Sequence, residues 1–295
     1  MPTKTAYITG GASGIGQAVT EMLAGKGIKV VIADQNFEGA EKLVDSLKSA
    51  GHDASCLQCN VNDWESQLTA FEHAIDILGG RIDYVFPIAG IGERKAIQND
   101  PKATKFEKPD LTVIDVDLNG VLYTAFLAVQ QMRRQGKDEG GFRGKSECLD
   151  ASLVARADCD EVAVTASVCG FYCVPTVPVY TAAKHGVVGF VRSYGKYLPE
   201  EGISMNAVCP NVVRTKISTD QFYDKVEADK LLTPMQGVVD AFEKCVDSDI
   251  SGECLEIDPT GGVTPKAPAP HLNDETTRIL DMIGQRSHRL HEPVQ

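Results

Sequence analysis

The first 90 residues change periodicity at regular intervals, and this rhythm restricts the chain more than any other feature. TAYITG, IKVVIAD, ASCLQCNV and IDYVFPIAG are short apolar runs, separated by GIGQAVTEMLAGKG, NFEGAEKLVDSLKSAG and WESQLTAFEHAIDILGG, whose apolar residues recur at helical spacing. Strands joined through helices cannot form hairpins, so they enter a parallel sheet by right-handed crossovers, with helices covering both faces. The pattern resumes after residue 109. Pro109 and Asp110 open a predicted helix, LTVIDVDLNGVLYTAFLAVQQMRRQ, about six turns long with a broad apolar face. EVAVTAS, ISMNAVCP and GECLEID read as strands, and PVYTAAKHGVVGFVRSYGKYL as a long helix. The prediction is one α/β domain over residues 1–262: a doubly wound, mainly parallel seven-stranded sheet with helices on both faces.

Four segments fall outside this rhythm. Residues 91–109 are polar and read as a surface loop. Residues 136–160 exceed the roughly 15 residues usual for a connection in a compact domain, which marks an inserted surface segment. Residues 215–236 read as a lid offering Phe222, Tyr223, Leu231 and Met235. Residues 263–295 form a C-terminal extension with a Pro-rich linker, a short helix and a polar tail. The apolar ASLVA patch within the insertion, or the tail helix, is expected to cover the site mouth or a subunit interface.

Composition excludes several function classes. Lys plus Arg number 29 against 41 Asp plus Glu, a formal charge of −12 that repels a phosphate backbone and argues against nucleic acid as a partner. No run approaches the roughly 18 consecutive apolar residues of a membrane span. The N-terminus lacks the pattern of a signal peptide, so a cytoplasmic protein is expected. The nine cysteines are odd in number and read as reduced thiols. Cys56 and Cys59 have CxxC spacing, but on a strand they face opposite ways, and no metal site is expected.

TGGASGIG, residues 9–16, follows the first strand and opens the first helix. Gly10, Gly14 and Gly16 allow a tight turn and close backbone approach to a pyrophosphate, while the helix N-terminus around Ser13 and Ile15 supplies N–H donors. Asp34 ends the second strand, 18 residues past Gly16, where a carboxylate accepts from ribose hydroxyls and repels a 2′-phosphate. These residues together predict NAD rather than NADP. Asp34 also has a plain reading, as a turn residue at a strand end.

Tyr180 and Lys184 lie one helical turn apart and share a face. A lysine so placed lowers a tyrosine's pKa from about 10 by stabilising phenolate. Ser167 ends the preceding strand, within reach of a substrate oxygen, and Asn119 sits inside the long helix, where Asn is unfavourable unless something uses it. Taken singly, each has a structural alternative: a capping serine, a packed tyrosine, a solvated lysine.

TGGASGIG, then Asn119 in DVDLNG, Ser167 in TASVCG and the YTAAK run together resemble the short-chain dehydrogenase/reductase family, over about residues 4–262. PVYTAAKHGVVGF with NAVCP resembles its 15-hydroxyprostaglandin dehydrogenase-like branch, which includes fungal dehydrogenases of secondary-metabolite alcohols. The resemblance implies a Rossmann fold and reversible hydride transfer between a nicotinamide cofactor and a secondary alcohol or ketone. Tyr180 is then the general acid/base and Ser167 polarises the substrate oxygen. Lys184 holds the nicotinamide ribose, and Asn119 anchors a water linking Lys184 to solvent. Asn60 and Val61 would meet adenine, Ala89 and Gly90 its ribose side, and Thr215 the carboxamide or phosphate, with Pro210 and Val213 in the same site. The resemblance also implies a homodimer or homotetramer built on helices 110–135 and 178–197.

Three positions depart from the family. Pro87 and Ile88 stand where it usually has Asn-Asn before Ala-Gly, Asn60 replaces a frequent Asp, and Asn211 replaces a Gly and is expected to take a left-handed turn. The apolar stretch VCGFYCVPTVPV and the lid point to a bulky hydrophobic substrate. The expected activity is NAD-dependent oxidation of such a secondary alcohol. Its alternatives are a ketoreductase running the other way and a cofactor-binding scaffold without turnover.

Overall fold

The computed structural model describes residues 3–135 and 160–292. β1 (Thr5–Thr9), β2 (Lys29–Asp34), β3 (Ala54–Gln58) and β4 (Tyr84–Pro87) alternate with α1 (Gly14–Gly25), α2 (Phe37–Ser49) and α3 (Trp64–Leu78). The first 90 residues thus fold as their periodicity predicts. The next helical segment, α4 (Thr112–Arg134), begins two residues after Asp110, whose carboxylate accepts from the Thr112 N–H at 2.9 Å. Its residues Asp115–Gly120 are π-helical.

β5 (Asp160–Thr165), α5 (Pro178–Tyr197), β6 (Ile203–Pro210), α6 (Asp220–Ala228), α7 (Met235–Asp247) and β7 (Cys254–Ile257) follow. The predicted insertion 136–160 lies outside the described residues except for Asp160, the first residue of β5. An eighth strand, β8 (Val263–Pro265), pairs antiparallel with β7. The sheet is therefore eight-stranded rather than seven, and this short edge strand carries the first compact unit through Pro265, three residues beyond the expected boundary.

Strand order is β3-β2-β1-β4-β5-β6-β7-β8, parallel throughout except for β7 with β8. Direction of travel reverses between β1 and β4, and at such a switch point the strand C-termini leave a crevice for a ligand. Alternation along the strands builds two cores. Tyr7, Val31, Val85 and Val162 face Phe71, Ala125 and Val187 on one side, whereas Ile8, Val30, Ile32 and Phe86 face Leu23, Leu43 and Phe242 on the other. Cys59 packs in the first core and Cys56 against the second, as period-two geometry predicts.

By length and composition α4 could cross a membrane, but half of its most apolar window is buried in the fold. Deeper in the sheet, Glu161 on β5 accepts hydrogen bonds from Ser204 and from Asn206 Nδ2. Burial pushes its carboxyl up to about 8, so it stays mainly protonated at neutral pH.

The second compact unit, Lys266–Gln295, contains helix α8 (Asp274–His288), whose first turn is capped by the Asn273 side chain accepting from the Thr276 N–H at 2.9 Å. Ile279, Met282 and Ile283 are exposed on it.

Candidate active site

The loop between β1 and α1 is shaped by its glycines. Gly10 has φ +73°, donates its N–H to Ala33 O at 2.8 Å, and a Cβ there would lie 2.6 Å from Ala89 Cα. At Gly16 a Cβ would lie 2.1 Å from Gly10 O, so only glycine lets α1 start this close to the loop. Ser13 is the N-cap, yet its side chain makes no capping bond, and the first turn of α1 carries no acidic residue. Free N–H groups at the positive end of a twelve-residue helix, beside Gly14 and Ile15, suit a pyrophosphate.

Asp34 sits at the end of β2, with Oδ2 accepting from the Ala12 N–H at 2.9 Å and Oδ1 from the Asn36 N–H at 2.8 Å. Each oxygen keeps a second acceptor site for a ribose hydroxyl. The remaining expected cofactor positions lie at or just past the C-terminal ends of three further strands. Asn60 and Val61 follow β3, and Ala89 and Gly90 follow β4. Pro210 ends β6, Val213 is buried just beyond it, and Thr215 places Oγ1 3.2 Å from the Tyr223 hydroxyl and its methyl group against Gly14. A cradle closed to any added Cβ, an uncapped helix start and a carboxylate at the second strand end fit a nicotinamide dinucleotide.

Asn211 does not take the expected left-handed turn. Among the described residues Lys230 alone has positive φ without being glycine. Asn211 instead donates its N–H and its side-chain amide to Ile257 O, at 3.1 and 2.9 Å, tying the end of β6 to β7.

The catalytic candidates converge at the start of α5. Tyr180 is partly exposed and hydrogen-bonded to the Ser167 side chain, and the Lys184 ammonium lies 5.4 Å from its ring centre. Ser167 also caps the short turn after β5, accepting from the Cys169 N–H at 3.2 Å. Lys184 is buried to 4% side-chain exposure, with Nζ 3.4 Å from Thr165 O.

Asn119 is not brought to this group. Its amide donates to Asp115, four residues back, at 3.2 Å on an exposed part of α4. The side chain that meets Lys184 belongs to Asp117, whose Oδ2 lies 3.1 Å from Nζ and whose side chain has no exposure. Asp117 Oδ1 accepts from the Ile91 N–H at 2.8 Å, tying the loop after β4 to the same group. The signal that could have found Asp117 is its type: an acid among apolar neighbours in a helix needs a cation.

Lys184 pulls the Tyr180 pKa down, as expected from spacing, and so does the Ser167 hydrogen bond. Burial is the larger influence, Asp117 and Cys169 act with it, and the phenol is held above its ordinary value of 10.0. Burial alone would lower the Lys184 pKa, but Asp117 and Tyr180 outweigh it and keep the ammonium charged.

A second unforeseen residue is Glu93. Helix α5 starts with Pro178 after Val177, which offers no side-chain cap, and Glu93 supplies one from the loop 91–109: its carboxylate accepts from the N–H groups of Val179 at 3.2 Å and Tyr180 at 2.6 Å. Negative charge at a helix N-terminus is favourable. Glu93→Ala is expected to destabilise the protein by about 1 kcal/mol, read as an earlier midpoint in chemical denaturation.

The sequence of this site belongs to a known class. Residues 4–141 and 147–225 match the family described as short chain dehydrogenase, and the chain is a member of the short-chain dehydrogenase/reductase family. These are oxidoreductases that bind a nicotinamide cofactor. Short-chain dehydrogenase/reductase prx4 of Penicillium rubens is 32% identical over 216 residues, covering 72% of this chain and 56% of its own length. The chain thus spans little more than half of that relative. The NAD(+) 15-hydroxyprostaglandin dehydrogenase of Bos taurus is 31% identical over 218 residues, covering 72% of this chain and 70% of its own. Among solved structures, an actinorhodin polyketide ketoreductase with NADPH superposes with a TM-score of 0.69 at 22% identity, over 88% of this chain and 97% of that one. At that identity the likeness shows the fold alone.

Proposed function

We propose that the protein is an NAD-dependent dehydrogenase that interconverts a bulky apolar secondary alcohol and its ketone, with Tyr180 as general base. The observation that carries this reading is the grouping of Tyr180, Ser167 and Lys184 past the C-terminal end of β5, in the same sheet whose first strand leads into the glycine loop. A bound nicotinamide would supply the two-electron chemistry, taking hydride from the alcohol or giving it to the ketone. Ser167 holds the substrate oxygen, and the Tyr180 phenol takes its proton in oxidation and returns it in reduction. Lys184 orients the tyrosine through charge and would hold the nicotinamide ribose when the cofactor is bound. Asp34 supports NAD, because a carboxylate at the end of β2 repels a 2′-phosphate. The bovine relative's NAD(+) designation supports the same preference.

The substrate class rests on the apolar rim. Tyr172 and Val174 in the segment after β5, and Ile217, Phe222 and Leu231 in the lid, are exposed. Tyr223 does not join them: it is the buried residue of the lid helix, and Arg214, bonded to Asp224 and Glu227 at 2.8 and 2.9 Å, lies over its ring. Exposed Phe126 on α4, 5.6 Å from the Phe190 ring on α5, supports pairing of these helices in a homodimer or homotetramer. A cytoplasmic location belongs to the same proposal.

The test is NADH formation from a panel of hydrophobic secondary alcohols, with NADP as the competing cofactor. NAD-linked turnover of at least one bulky alcohol is expected. Preference for NADP would contradict the role given to Asp34, and no turnover in either direction would leave the scaffold alternative standing.

A further inference from the structure

We propose that Asp117 is a positioning residue whose buried carboxylate holds the Lys184 ammonium and so sets how readily Tyr180 gives up its proton. The inference rests on the dehydrogenase reading of the site and concerns its working pH. Asp117 lies in the π-helical stretch of α4, where an extra residue per turn alters which side chains face inward. Its side chain is completely buried, and Oδ2, which makes no other hydrogen bond among the described residues, lies 3.1 Å from Lys184 Nζ. A buried carboxylate with one cationic partner is held by that cation and in turn holds it.

Charge counting gives the direction. With neutral Tyr180, charged Lys184 and ionised Asp117 the group is neutral, and removing the phenol proton leaves a net negative charge in a buried place. Were residue 117 an amide, the same step would run from one positive charge to none. Asp117 therefore opposes phenolate formation, in agreement with the upward influence it exerts on Tyr180. The other titratable groups facing the pair are Cys169, from the turn after β5, and Cys209 on β6. The remaining hydrogen-bond contacts are the Thr165 carbonyl on Lys184 and the Ile91 N–H on Asp117. Tyr180 and Lys184 each act on the other's proton, so the midpoint read at Tyr180 includes the lysine's charge.

The experiment is an ultraviolet titration of tyrosine ionisation in the cofactor-free protein, with the Tyr180→Phe protein subtracted to isolate one step. In an Asp117→Asn background that step should move down by about one pH unit or more, and the rising limb of the pH–rate profile for alcohol oxidation should move with it. An unchanged midpoint would overturn the inference and leave Asp117 a packing residue. Asp117→Ser removes the same charge with a smaller side chain and should give the same direction. Should neither variant fold, the unmodified protein still tests the inference: burial and Asp117 both push the Tyr180 step up, so a step at or below the ordinary tyrosine value overturns it. The titration needs no substrate. Absence of turnover on every alcohol would remove the dehydrogenase reading without touching this result.

Discussion

Replacing Tyr180 by phenylalanine should lower kcat for alcohol oxidation by roughly 10²–10⁴-fold, the usual range for a removed general acid/base. The variant deletes one oxygen from a ring that keeps its place on α5, and Glu93 continues to cap the helix start through backbone N–H groups. Fold and cofactor affinity should therefore change little. Thermal melting and NADH titration, run beside steady-state kinetics, separate the outcomes. Full activity in the variant would remove Tyr180 from the proton path, whereas a matched fall in activity and stability would recast it as a packing residue.

Lys184→Met should have the largest effect on stability. The substitution leaves Asp117, with no side-chain exposure, facing an apolar group. Breaking one partner out of a buried pair typically destabilises by about 3–5 kcal/mol, because the remaining charge is uncompensated. Adding Asp117→Asn to Lys184→Met should recover much of that loss while leaving the enzyme inactive. The double-mutant cycle in denaturant thus isolates the pair from the chemistry. If Lys184→Met alone melted like the parent, the carboxylate would have to be solvated or protonated, and the charge argument for Asp117 would fail with it.

Much of the fold is legible in the sequence because burial imposes period. Strands covered on both faces read as continuous apolar runs, and the helices between them carry apolar residues on one side. β8 escaped notice for the opposite reason: three residues, Val263–Pro265, are too few to show alternation, and the strand exists because β7 offers an edge. Within the site, the glycine loop, Asp34, Ser167, Tyr180 and Lys184 are visible because their spacing is local to one turn or one strand end. Asn119 drew attention as an amide in a helix, but π geometry cannot be read from a 3.6-residue period, and it is Asp117 that turns inward to Lys184. Glu93 was hidden for a different reason. It meets Tyr180 across 87 residues of chain, and a cap supplied from a distant loop leaves no trace in the helix it stabilises.

The two unforeseen acids change how the site is understood. Spacing alone presents Lys184 as a cation free to favour phenolate, whereas the fold pairs it with Asp117 and buries both. The lysine keeps its charge, but part of that charge is already answered. Glu93 and the Ile91 N–H meanwhile bind both ends of one short loop segment to the helices that carry the candidate site, Glu93 to α5 and Ile91 to Asp117 on α4. Changes in that loop should accordingly be felt in the orientation of Tyr180 as well as at the site entrance.

The central claim, that hydride passes between a secondary alcohol and a nicotinamide in this site, is tested most directly by isotope transfer. A hydrophobic secondary alcohol that turns over, deuterated at the carbinol carbon, should yield reduced cofactor carrying one deuterium and a slowed hydride step. Reduced cofactor free of label, or ketone formed with no reduced cofactor, would contradict the account.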